Sequence, residues 1–148
     1  MNKAATEDAV KKILVTTDGT DGSLKALTWA ADKARKEAAE VIVVFAEEQF
    51  CPVGLDEMDC NTIVCLLDKE AANIIGSSVE KLRALGVPAR GVIERGDPVD
   101  SIIALAKREG VDEIVAYSHG KRGLKRRLMG SFTAKLAEEA ECPVVILK

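Results

Sequence analysis

The chain predicts an α/β fold: one open parallel sheet with helices on both faces. Three observations carry that prediction. Five short runs rich in Val, Ile and Leu recur along the 148 residues, and segments of helical periodicity separate them. The runs are apolar almost throughout instead of alternating, the pattern of strands covered on both sides. Strands that alternate with helices pair in parallel through right-handed crossovers. Neither repeats nor low-complexity linkers interrupt the pattern, so residues 1–148 are expected to form one domain, large enough to bury about 70% of its unfolded surface.

Taken in order, Lys12-Ile13-Leu14-Val15-Thr16-Thr17 is the first strand. Asp18-Gly19-Thr20-Asp21-Gly22-Ser23 follows as a turn rich in helix-capping residues. A helix is expected over 23–38, with Leu24, Leu27, Ala31 and Ala34 on its inner face. Residues 41–46 form a second strand that ends at Ala46, and 47–61, containing Pro52 and Gly54, reads as a loop. Leu67, Ala71, Ile74, Ile75, Val79 and Leu82 are spaced for a long helix over 62–85 that stops at Gly86. Residues 88–94 are a third strand. Asp97 and Pro98 then open a helix as N-cap and first-turn residue, and Gly110 closes it. The fourth strand is 113–117. A helix over 132–140 and a fifth strand, Pro143-Val144-Val145-Ile146-Leu147, complete the chain.

Composition narrows the function. The formal net charge of −3 and the scarcity of aromatics (Trp29, Phe45, Phe50, Tyr117, Phe132) argue against nucleic acid as a partner. No apolar run approaches the roughly 20 residues that span a bilayer, so no membrane role is expected. A polar N-terminus without a signal-peptide core points to a cytoplasmic address. Cys51, Cys60, Cys65 and Cys142 match no standard zinc spacing and are expected as free thiols, with Cys142 a packing residue. A single histidine, His119, leaves little room for acid–base or nucleophilic catalysis, and no Walker-type Gly-Lys-Ser run is present.

The most informative segment lies between the fourth strand and the last helix. Ser118-His119-Gly120 is followed by nine residues that include Lys121, Arg122, Lys125, Arg126 and Arg127, and then by Gly130-Ser131-Phe132. Strand, basic glycine-punctuated loop and helix start come in that order. The free N–H groups and dipole of a helix start favour an anion, glycine permits close approach, and the cations add positive potential. A phosphate is the natural guest. The plainer alternative is that Gly120 and Gly130 only shape the loop and Ser131 only caps the helix, because capping and phosphate binding use the same N–H groups.

This arrangement resembles the universal stress protein family, whose nucleotide-binding members carry Gly, two residues, Gly, nine residues, then Gly and Ser or Thr. Gly120, residues 121–129, Gly130 and Ser131 match the later part of the pattern, and Tyr117 stands in place of its first glycine. The resemblance covers essentially the whole chain. It implies a Rossmann-like sheet, related to the adenine nucleotide alpha hydrolases, of order 3-2-1-4-5. It also implies ATP or AMP as ligand, accompanied for the triphosphate by Mg²⁺ or Mn²⁺, and a homodimer formed by antiparallel pairing of the fifth strand through Val144, Val145, Ile146 and Leu147.

In that strand order the first and fourth strands are neighbours whose connections leave in opposite directions, and their carboxyl ends are the expected ligand site. Thr16, Thr17 and Asp18 lie at one of these ends; Tyr117, Ser118, Gly120, Gly130, Ser131 and Phe132 lie at or after the other. The family implies a nucleotide contact for Asp18 and packing against the base for Ala46. Turn capping by Asp18 and core packing by Ala46 are the alternatives. A tyrosine ring at 117 either fills the sugar–phosphate space, turns aside, or lies against the ligand. If it obstructs, Tyr117→Gly should tighten adenine-nucleotide binding. Two other functions stay open: a nucleotide-free dimeric interaction protein, favoured by Tyr117, and a slow ATP hydrolase. The ATP pyrophosphatase wording Ser-Gly-Gly-X-Asp-Ser is only faintly echoed by residues 18–23.

Overall fold

A computed structural model describes residues 10–47, 54, 56–118 and 130–148. Five strands, β1 (Lys12–Thr16), β2 (Glu40–Glu47), β3 (Ala89–Arg95), β4 (Glu113–Tyr117) and β5 (Val144–Leu147), form one parallel sheet in the order β3-β2-β1-β4-β5. Four helices connect them: α1 (Asp21–Glu37), α2 (Glu57–Ala84), α3 (Pro98–Glu109) and α4 (Ser131–Glu139). This is the architecture that the apolar runs and the family resemblance predict.

The two-residue period of a strand distributes the core. Ile13, Val15, Val41, Val43 and Val115 face α1 and α2, while Leu14, Ile42, Val44, Ile114 and Ala116 face α3 and α4. Each of these side chains is essentially removed from solvent. Burying such an aliphatic side chain contributes about 1.5–3 kcal/mol. α2 approaches β3 closely because Gly91 has no side chain; a Cβ there would fall 2.2 Å from Ile75 Cγ2.

Three helix starts differ from the sequence reading, that of α4 by one residue, at Ser131 instead of 132. α1 begins at Asp21, because Thr20 is its N-cap and Thr20 Oγ1 accepts the Ser23 N–H at 3.3 Å. α2 begins at Glu57 instead of 62, because Asp56 Oδ1 accepts the Asp59 N–H at 2.8 Å. Helix faces shift with them. Ala26, Leu27, Ala30, Ala31 and Ala34 are the buried stripe of α1, and Leu24 stays 38% exposed. α3 follows the reading: Asp97 Oδ1 accepts the Asp100 N–H at 2.9 Å, Pro98 opens the helix, and Gly110 closes it at φ +65°.

The cysteine expectation is corrected at one position. Cys60 is disulfide-bonded, whereas Cys65 and Cys142 form no disulfide. Residue spacing and assumed compartment drove that expectation, and neither reports which side chains the fold brings together. Cys142 packs against the cluster under α3 and α4. Cys51 lies outside the described residues. None of the described helices is long and apolar enough to cross a membrane.

Candidate nucleotide site

β1 and β4 lie side by side, yet β1 hands the chain on through α1 to β2, and β4 through α4 to β5 on the other side. The crevice at their carboxyl ends opens into a pocket of about 290 Å³. Thr16, Thr17, Asp18, Ala46, Tyr117 and Phe132 all line it. Six residues spread over 116 positions of sequence thus meet in one cavity of near-ligand size.

β1 ends by presenting Thr16, Thr17 and Asp18 in succession. Thr17 is buried; its N–H donates to the Val44 carbonyl at 3.0 Å, and its Oγ1 lies 3.1 Å from Ser23 Oγ. Thr17 therefore fastens the strand end to α1, and its N–H is committed to the sheet. Asp18 Oδ1 accepts the Thr20 N–H at 3.0 Å and the Thr20 hydroxyl at 2.5 Å. Asp18 is at once a turn-capping residue and an exposed carboxylate on the pocket wall. Gly19 makes the turn possible at φ +82°, a conformation that costs glycine little.

The opposite wall is built by β4 and α4. Ser118 is buried, its N–H donates to the Leu147 carbonyl at 2.8 Å, and its Oγ accepts the Gly130 N–H at 3.1 Å. That bond joins the end of β4 to the start of α4. Thr133 Oγ1 donates to the Gly130 carbonyl at 3.0 Å and fixes the other side of the same peptide. Gly130 is the N-cap of α4, one position earlier than a Ser131 cap would place it; Ser131 is the first helical residue and is exposed. Gly120 and the cations at 121–127 lie outside the described residues.

α4 also differs from the other helices in how it starts. Thr20, Asp56 and Asp97 each accept an N–H of their helix through a side-chain oxygen, whereas Gly130 supplies no such acceptor. Its φ of −61° is ordinary for any residue. A Cβ at 130 would meet Ser118 Oγ at 3.7 Å and Thr133 Oγ1 at 3.8 Å, which is normal contact. Among the described residues, neither backbone nor packing demands glycine there. A helix whose N-cap residue has no side chain leaves its first N–H groups without a cap from that residue, which suits an incoming anion.

Comparison with known proteins assigns the chain. A model of the universal stress protein family matches residues 9–148. The chain belongs to the universal stress protein family. It is 32% identical over 143 residues to universal stress protein MJ0531 of Methanocaldococcus jannaschii, covering 96% of this chain and 84% of that one. The solved structure of MJ0577, from the same organism, superposes with a TM-score of 0.76 at 30% identity, covering 93% and 95% of the two chains. A universal stress protein solved in complex with cAMP superposes with a TM-score of 0.67 at 26% identity, covering 94% and 97%.

Pro98 and Ile102, at the start of α3, also line the pocket of this universal stress protein, and sequence reasoning passed over them. Asp97-Pro98 signals a helix start, and in a parallel sheet every strand-to-helix turn arrives at the same end. That was the signal available for them. Ser23 was read as a helix boundary; it lines the pocket from inside the first turn of α1.

Proposed function

We propose that this universal stress protein binds an adenine nucleotide, ATP or AMP, in the crevice between β1 and β4 and acts in stress response or signalling through the segment that joins β4 to α4. The observation that carries the reading is that Phe132, in the first turn of α4 after its side-chain-free N-cap Gly130, lines the same pocket as Asp18. The base and ribose occupy the pocket beside Ala46 and Phe132, Asp18 accepts from ribose hydroxyls, and the phosphates meet Gly130 and the N–H groups of Ser131 and Phe132. A relative in complex with cAMP supports the nucleotide class. Among the described residues no group of three His, Cys, Asp or Glu side chains is placed to hold a metal. Mg²⁺ or Mn²⁺ would enter with the triphosphate, and Asp18 is the carboxylate on the pocket wall. The functional unit is a homodimer paired through β5.

The first experiment is to denature freshly purified protein, identify any released nucleotide by chromatography and mass spectrometry, and titrate the stripped protein with ATP and Mg²⁺. Saturable binding that is lost in Gly130→Val is the expected result. The described residues leave room for a Cβ at 130, so a folded Gly130→Val protein that fails to bind separates the ligand contact from stability. An empty protein that ignores millimolar ATP sinks the proposal and leaves the nucleotide-free dimeric interaction protein, the reading that Tyr117 favours.

A further inference from the structure

Tyr117 does not stand in the middle of the site. Its ring lies on the first turn of α1: a Cβ built on Gly22 would fall 2.1 Å from Tyr117 Cε1, 2.5 Å from Cδ1 and 2.7 Å from Cζ. Carbon atoms settle about 3.5–4.0 Å apart, so the ring occupies this place only because residue 22 has no side chain. Nothing else on α1 calls for glycine. Gly22 is the second residue of the helix, where alanine is the better helix former, and it is not among the glycines with positive φ. On its inner side the ring packs with the cluster that includes Val15, Val115 and Leu147. On its other side it lines the pocket. The pocket is an open volume beside the ring, into which a ring pushed off Gly22 would move.

We infer that Gly22 and Tyr117 form a matched pair that determines whether the pocket admits a nucleotide: Gly22 takes the ring against α1 and so keeps the volume between Asp18 and Phe132 open. The inference rests on the nucleotide reading above. It also explains how a chain with tyrosine in place of the motif's first glycine retains a pocket, since the missing glycine is compensated by another on a different element.

Wild type, Gly22→Ala, Tyr117→Gly and the double variant decide the matter, each titrated with Mg²⁺ and ATP and each melted without ligand. Gly22→Ala should weaken ATP binding about tenfold or more and lower Tm by roughly 3–8 °C, because the ring is forced off its seat. Tyr117→Gly should still bind ATP, without the tightening expected of a ring that stands in the site. The double variant should regain that affinity, and in the Tyr117→Gly background the alanine should no longer lower Tm. Wild-type affinity in Gly22→Ala overturns the inference. So does a binding defect that persists in the double variant, or strong tightening by Tyr117→Gly. If none of the four binds ATP, the nucleotide reading fails and the specificity role falls with it. The melting cycle still reports separately whether the ring and residue 22 are coupled.

Discussion

Ser118 shows how one hydroxyl can join two elements at the rim of a candidate site. Its Oγ holds the Gly130 N–H at 3.1 Å from within the protein interior. A hydrogen bond of this kind contributes about 1 kcal/mol, and leaving the donor unpaired costs about 1–3 kcal/mol. Ser118→Ala should therefore destabilise the fold by about 1–2 kcal/mol in chemical denaturation and weaken ATP binding severalfold by loosening the start of α4. Unchanged denaturation midpoints would mean that another group takes the Gly130 N–H. At this scale the sequence was a good guide to chemistry and a poor one to contacts. Asp18 and Gly130 could be placed at a strand end and a helix start from residue preferences, and Ser118 was picked out by the family resemblance. Gly22 could not, because its meaning lies in a ring 95 positions away that only the packed sheet brings over it.

Helix starts set the geometry of the whole pocket rim, and here capping chemistry decides where elements begin. Asp56 and Thr20 moved α2 and α1 to earlier starts than hydrophobic spacing suggested, since spacing senses the buried face and not the polar first turn. Asp97 was legible because Pro98 follows it. Its carboxylate holds the first turn of α3, whose Pro98 and Ile102 line the pocket. Asp97→Ala should cost about 1 kcal/mol of stability, while Asp97→Ser should recover most of it. Equal midpoints for both variants would show that Pro98 alone fixes that helix start.

At the level of the molecule, the five apolar runs made the parallel sheet legible, and the strand order came from the family resemblance. The edges of the sheet are where sequence said least, because an unpaired backbone leaves no composition signature of its own. β5 is an edge strand. The carbonyls of Pro143 and Leu147 both accept from β4, so the alternation of a strand turns the backbone groups of Val144 and Ile146 outward. An apolar edge with free donors and acceptors invites another strand. Ile146→Pro removes an outward N–H and no bond to β4, and should convert a dimer to a folded monomer by sedimentation or light scattering. A dimer that survives this change would place the interface elsewhere.

The bond between Ser118 and Gly130 also separates two problems that a binding loop usually has to solve together. Twelve positions apart in sequence, these residues are already held at hydrogen-bonding distance by the sheet and α4. The entropy of bringing the two ends together is met by the fold, and it grows only by about 0.6 kcal/mol for each doubling of the intervening length. Length and charge between these anchors can therefore drift over generations with little penalty to the domain. Change between the anchors leaves the scaffold beneath them in place.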